Sequence, residues 1–214
     1  MYAPMFILEG NTIRRRTIAD SQISVPPVTE VAGCYMLGSD TLMWRIEVTG
    51  DTMRGSGRML PASIAAWLGI IPGNRLSLSA NGGTVGVTWP ATSAHGPSLG
   101  SIRFLIEAVQ GSAGDQALIC FRRDVGTVAL SLIDKPEANT TQGFQRLSLL
   151  TGIPFGDSEA GFLHALGLAL GTRGTRASVI AELKSRGESA LAALVPPEDE
   201  SPELDAAIEA LAGC

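Results

Sequence analysis

The sequence predicts an α+β protein, a mainly β region with an internal repeat followed by a small α-helical C-terminal domain. Three observations predict it. Apolar and polar residues alternate over residues 42–48, 76–79 and 85–89, the period of half-buried strands. A pattern of apolar helix stripe, Gly-Asn or Gly-Asp turn and hairpin occurs once after Ile64 and again after Ile102. Beyond residue 142 the apolar spacing becomes that of short amphipathic helices.

Residues 1–40 read as an N-terminal arm. A short strand is expected over residues 5–8 and a second over 23–25, closed by Pro26-Pro27. Between them stand Arg14, Arg15 and Arg16, which cannot all share one strand face. They are either a phosphate-contacting arm or a solvated turn. Residues 31–37 are apolar around Gly33 and suggest an irregular strand packed on the β region. Residues 42–48 (LMWRIEV) form a clear strand with Trp44, Ile46 and Val48 on one face. Thr49 to Asp51 then turns the chain into Arg54-Gly55-Ser56-Gly57-Arg58.

That turn has two readings. Exposed backbone N–H groups beside Ser56 could hold a phosphate, with Arg54 and Arg58 adding charge-assisted bonds. Alternatively the glycines only steer the chain and the arginines lie in water. The spacing is neither GxxxxGK[ST] nor G-x-S-x-G, so no P-loop and no nucleophile elbow is expected. After the turn, Pro61 opens a helix whose stripe is Ile64, Trp67 and Leu68. Gly69 ends it, and Pro72-Gly73 prevents its continuation. Leu76 and Leu78 mark a strand, Asn81-Gly82-Gly83 a hairpin turn, and Val85, Val87 and Trp89 the returning strand.

The second occurrence keeps one constant offset from the first: Val109 for Leu68, Gly114 for Gly73, Asp115 for Asn74. Gly126-Thr127-Val128 then stands for Gly83-Thr84-Val85 at a slightly larger offset, so the second hairpin is the longer one. Its helix carries Ile102, Leu105, Ile106 and Val109, with Ser98 as the expected cap. Arg122 and Arg123 lie in its hairpin. The connection over residues 90–97 carries His95, with no nucleophile or carboxylate near it in sequence.

Gly57-Arg58, Leu60-Pro61, Leu68-Gly69-Ile70, Gly73-Asn74 and the hairpin that follows resemble the AbrB/MazE/SpoVT family of swapped-hairpin DNA-binding barrels. The likeness covers about 35 residues. The same unit occurs in double-psi barrels, which bind proteins or nucleotides, so it speaks for a fold before a function. Family barrels are assembled from two chains. Two copies in one chain imply a pseudo-twofold β-barrel over residues 41–135, closed on itself.

Residues 134–142 are a polar linker, and residues 136–214 the expected helical bundle. Its helices carry Phe144, Leu147 and Leu150; Phe162, Leu166 and Leu170 behind Ser158; Val179, Ile180 and Leu183 behind Thr175; and Leu191, Leu194 and Val195. A last amphipathic helix is expected behind Ser201, after an acidic proline-bounded hinge. A helix-turn-helix pair around residues 175–186 would have Arg173, Arg176, Lys184 and Arg186 as its phosphate partners.

The net charge of −5 speaks against a nucleic-acid partner, but it is unevenly placed. Residues 1–135 hold eleven Arg/Lys and ten Asp/Glu; residues 136–214 hold five and eleven. Fourteen of the sixteen basic residues are arginine, which suits bidentate phosphate and guanine contacts and is also what a GC-rich genome encodes. The three cysteines form no CxxC or His/Cys cluster, so neither zinc nor a disulfide framework is expected. No apolar run of membrane-spanning length and no signal-peptide pattern is present, which leads to an expected cytoplasmic location without membrane contact.

The resemblance implies a non-enzymatic DNA-binding module without cofactor, serving regulation or DNA defence as an accessory subunit. Phosphates would be held by Arg54, Ser56, Arg58, Arg122 and Arg123, and by Arg14, Arg15 and Arg16 of the arm. A hairpin would read bases in the major groove. The acidic helices would dock a protein partner, for which a helicase or a nuclease would fit. The competing reading is a structural adaptor that binds protein alone within a larger machine.

Overall fold

A computed structural model describes residues 6–9, 12–15, 24–91, 96–133 and 143–197. The chain is α+β, with a curled eight-stranded sheet and several helices. A separate hairpin pairs β1 (Phe6–Glu9) with β2 (Thr12–Arg15), Leu8 standing opposite Ile13. The main sheet draws on β3 (Cys34–Leu37), β4 (Thr41–Glu47), β5 (Arg58–Met59), β6 (Arg75–Ala80), β7 (Gly83–Thr88), β8 (Ser98–Leu99), β9 (Gln116–Arg122) and β10 (Thr127–Leu132). Their order across it is β3-β4-β9-β10-β6-β7-β8-β5. All neighbours pair antiparallel except β10 and β6, which meet in parallel at Thr127 and Ser79.

Three short helices belong to the sheet: α1 (Gly50–Met53), α2 (Ala62–Trp67) and α3 (Arg103–Ala108). Helices α2 and α3 begin and end at equivalent positions of the repeat, Ala62 matching Arg103 and Trp67 matching Ala108. Each is followed by a left-handed residue, Gly69 at φ 78° and Gln110 at φ 56°. Each closes with the same bond: Ile70 N–H to the Ala65 carbonyl at 2.9 Å, and Gly111 N–H to the Ile106 carbonyl at 2.8 Å. Gly73 N–H donates to the Trp89 carbonyl at 2.7 Å, and Trp89 N–H donates to that of Asn74 at 3.0 Å. One repeat on, Gly114 N–H donates to the Val48 carbonyl and Val48 N–H to that of Asp115, both at 2.8 Å. Strands β6 and β7 thus meet as β9 and β4 do, Leu76 opposite Val87 and Ala117 opposite Ile46.

Alternation along β4 and β9 sorts their side chains to two cores. Leu42, Trp44 and Ile46, with Ile119 and Phe121, face the interior of the curl and meet Ile64, Val87 and Ile106. Met43 and Leu118 point the other way, with Tyr35 of β3. They are covered by α4 (Gly143–Thr151) and α5 (Glu159–Leu170) through Phe144, Leu147, Phe162 and Leu166. Each such fully buried side chain contributes about 1.5–3 kcal/mol, so both faces are held firmly.

Helices α6 (Arg176–Ser185) and α7 (Ser189–Ala192) complete the described chain. The Ser158 hydroxyl accepts the Gly161 N–H at 3.1 Å at the start of α5, and Thr175 and Ser178 form a capping box on α6. A methyl group at Gly167 would stand 2.6 Å from the Cα of Gly174, so two glycines let α5 touch the segment before α6 backbone to backbone.

Four expectations change. Ser98 caps no helix: it lies in β8 opposite Met59, and Ile102 is the residue before α3. Pro61 precedes α2 rather than opening it. The second N-terminal strand is β2, which contains Arg14 and Arg15 and pairs with β1, while Ser24 and Val25 lie outside any strand. Arg186 is no phosphate partner, since its side chain is 2 % exposed. It is held inward by the Val31 and Cys34 carbonyls and lies over the Tyr35 ring. The linker at 134–142, His95, Arg16 and the helix expected behind Ser201 fall outside the described residues.

Candidate nucleic-acid interface

The turn from Arg54 to Arg58 leaves the end of α1. That helix is one turn long and Thr49 caps it, its hydroxyl accepting the Thr52 N–H at 3.3 Å. Gly55 then takes φ 87°, and Ser56 N–H returns to the Asp51 carbonyl at 3.1 Å. Gly57 lies against β8, where a methyl group would stand 3.0 Å from the Leu99 carbonyl. The turn is thus tight for reasons of packing, and it leaves the side chains of Arg54 and Ser56 in solvent.

Arg54 is 71 % exposed and pairs with Asp51, itself 73 % exposed. A surface pair of this kind contributes roughly 0–1 kcal/mol. Arg58 is held differently. Its Nη1 donates to the Glu47 carbonyl at 2.9 Å, and its guanidinium lies over the Trp44 ring, 5.5 Å from the centroid. Partial burial lowers its pKa, and the charge of Glu47 works against that shift. The guanidinium remains charged throughout the physiological range.

Beside Arg58 opens a cavity of about 560 Å³, lined by Trp44, Thr49, Asp51, Thr52, Met59 and Pro61, among others. Met59 is 61 % exposed at this place.

The other predicted arginines lie elsewhere. Arg122 ends β9 opposite Thr41, whereas Glu47, beside Arg58, is at the far end of β4. The length of β4, roughly 20 Å, separates the two ends. Arg122 pairs with Asp124 at 3.0 Å. Arg123 bridges several groups: Asp40 at 2.9 Å, the Ser39 and Trp67 carbonyls at 3.2 and 3.3 Å, and the Trp67 ring at 5.1 Å. The Ser39 hydroxyl and the Arg123 guanidinium hold the Asp40 carboxyl below its ordinary range. The structure therefore gathers Arg54, Ser56 and Arg58 at one end of the sheet and places Arg122 and Arg123 at the other. Arg14 and Arg15 occupy β2, apart from the main sheet.

No protein-family profile, curated protein or solved structure matches the chain.

Among the described residues no group of three or more His, Cys, Asp and Glu is placed to hold a metal ion, and Cys34 and Cys120 are free thiols. No helix among them is long and apolar enough to cross a membrane. Sequence reasoning passed over Trp44 and Met59 as parts of a site. Trp44 reads as a core residue by its alternation, and Met59 of β5 lines the same cavity from an element distant from β4 in the sheet order. It also passed over the buried cluster of Tyr35, Arg45, Arg186 and Glu188. There Glu188 accepts from the Tyr35 hydroxyl at 2.6 Å and from Arg45 at 2.8 Å.

Proposed function

We propose that the chain is a non-enzymatic DNA-binding module built on a duplicated, pseudo-twofold AbrB-like or double-psi-like barrel, with its C-terminal helices serving as a protein-docking part. The backbone bonds that recur at equivalent positions of the two stretches support the duplication. The observation that carries the DNA reading is the Arg54-Gly55-Ser56-Gly57-Arg58 turn. It offers an arginine and a hydroxyl in solvent, next to a second arginine fixed on Trp44. Phosphate would exchange with Asp51 on Arg54 at small cost, because surface ion pairs hold so little free energy. Arg122, likewise exposed and paired only at the surface, would be a secondary contact. The described geometry of Arg123 assigns its donors to the protein itself.

Salt titration of DNA binding tests the proposal. Binding through two or three phosphates gives a log–log slope against salt of about −2 to −3. Absence of binding at low salt would refute it.

A second reading has its own support. The β1–β2 hairpin exposes Phe6 by 59 %, Leu8 by 70 % and Ile13 by 71 %. An isolated hairpin is marginal in water, and such a face suits a protein partner. In that reading the chain is an adaptor, and DNA binding is absent at every salt concentration.

A further inference from the structure

We infer that the cavity beside Arg58 accepts a single unpaired DNA base, stacked on the face of the Arg58 guanidinium turned away from Trp44. The inference rests on the DNA reading above and deepens it. Three observations carry it. First, the Arg58 guanidinium is fixed in place, since one face lies over Trp44 and Nη1 donates to the Glu47 carbonyl. A planar, partly desolvated guanidinium held this way is a stacking platform for a base. Second, the cavity of about 560 Å³ falls in the size range of small-ligand sites. It sets the apolar surface of Met59 and Pro61 beside the carboxylate of Asp51, a group able to meet a base edge, while the Thr49 and Thr52 hydroxyls in its lining are bonded to each other at 2.8 Å. Third, the solvent-facing Arg54 and Ser56 precede it by a few residues, so one nucleotide can place its phosphate on the turn and its base in the cavity. A base paired and stacked in a duplex cannot enter a cavity; only one outside the stack can. The 61 % exposure of Met59 is then the uncovered rim of this site.

The test compares three labelled probes by fluorescence anisotropy: a fully paired duplex, the same duplex with one bulged nucleotide, and that duplex with an abasic bulge. The bulged probe should bind about tenfold more tightly than the other two. Met59→Ala should remove that preference while keeping the affinity for the paired duplex. Arg58→Lys, which keeps the charge and loses the plane, should also remove the preference. Equal binding of all three probes overturns the inference and leaves the phosphate-binding turn standing. An abasic bulge that binds as well as the complete one overturns it too, since bending and not a base would then be recognised. A preference unaffected by either substitution overturns the assignment to this cavity. Failure of every probe to bind overturns both this inference and the DNA reading.

Discussion

The Tyr35 hydroxyl donates to Glu188 at 2.6 Å across 153 residues of chain, and Arg45 of β4 donates to the same carboxylate oxygen at 2.8 Å. One carboxylate after α6 thus ties β3 and β4 to the helices. The Glu188 side chain is 4 % exposed, and its loss would leave the buried Arg186 and the largely buried Arg45 without their anion. Glu188→Ala should cost about 3–5 kcal/mol in urea unfolding, and Tyr35→Phe about 1–3 kcal/mol. A cost near zero for Glu188→Ala would mean that the apolar contacts alone hold the helices to the sheet.

Gln110 is the sole non-glycine residue with positive φ among the described residues, at 56°, and it stands in the second copy where Gly69 stands in the first. A side chain in the left-handed region costs roughly 1–2 kcal/mol. Gln110→Gly should therefore raise the melting temperature, and Gly69→Ala should lower it. A fall on Gln110→Gly would show that the Gln110 side chain makes a contact worth more than the backbone strain.

Gly174→Ala and Gly167→Ala should each destabilise the chain by about 1–3 kcal/mol, because the added methyl meets backbone and not a movable side chain. Denaturant midpoints of the two variants measure this. A neutral result would show that α5 and the segment before α6 can separate without loss.

Burial pushes the Cys34 thiol from an ordinary 9.0 up to about 12, with Arg186 pulling it down and Glu188 adding to the rise. Burial likewise raises the Tyr35 phenol, with Arg45 opposing it. Both groups ionise more easily in the unfolded chain. The Cys34 contribution is therefore whole below pH 9.0 and declines as pH rises toward about 12, and that of Tyr35 is whole below pH 10.0 and declines above it. Urea unfolding should show stability falling across that window, with a smaller slope in Cys34→Ala. In the native protein at neutral pH Cys34 should resist thiol reagents that modify it after unfolding.

Local chemistry made much of this readable in advance. Gly69 and Gly82 adopt the left-handed conformation that their positions after a helix and in a turn suggested. Ser158 and Thr175 accept the hydrogen bonds of caps, and the stripes of α4 to α6 face the second core. What escaped depends on partners distant in sequence. Ser98 looks like a cap until β5 and β7 claim it as a strand residue. Arg186, at the end of a polar helix, reads as a candidate phosphate partner. Two carbonyls from the start of β3 and the segment before it draw it inward, and no spacing rule announces that. Met43 and Leu118 show as apolar, but their separate core exists only because helices cover the outer face of β4 and β9. Among the predicted arginines the chain order could not show that β4 separates Arg58 from Arg122 by its own length.

The double variant Arg54→Ala/Arg58→Ala tests the central claim most directly, read as fluorescence anisotropy of a labelled DNA at low salt with the fold checked by circular dichroism. The claim predicts that the wild-type chain binds and that the folded variant loses at least about tenfold in affinity, with the salt slope reduced by about two. A folded variant that binds DNA as tightly as the wild type would contradict it.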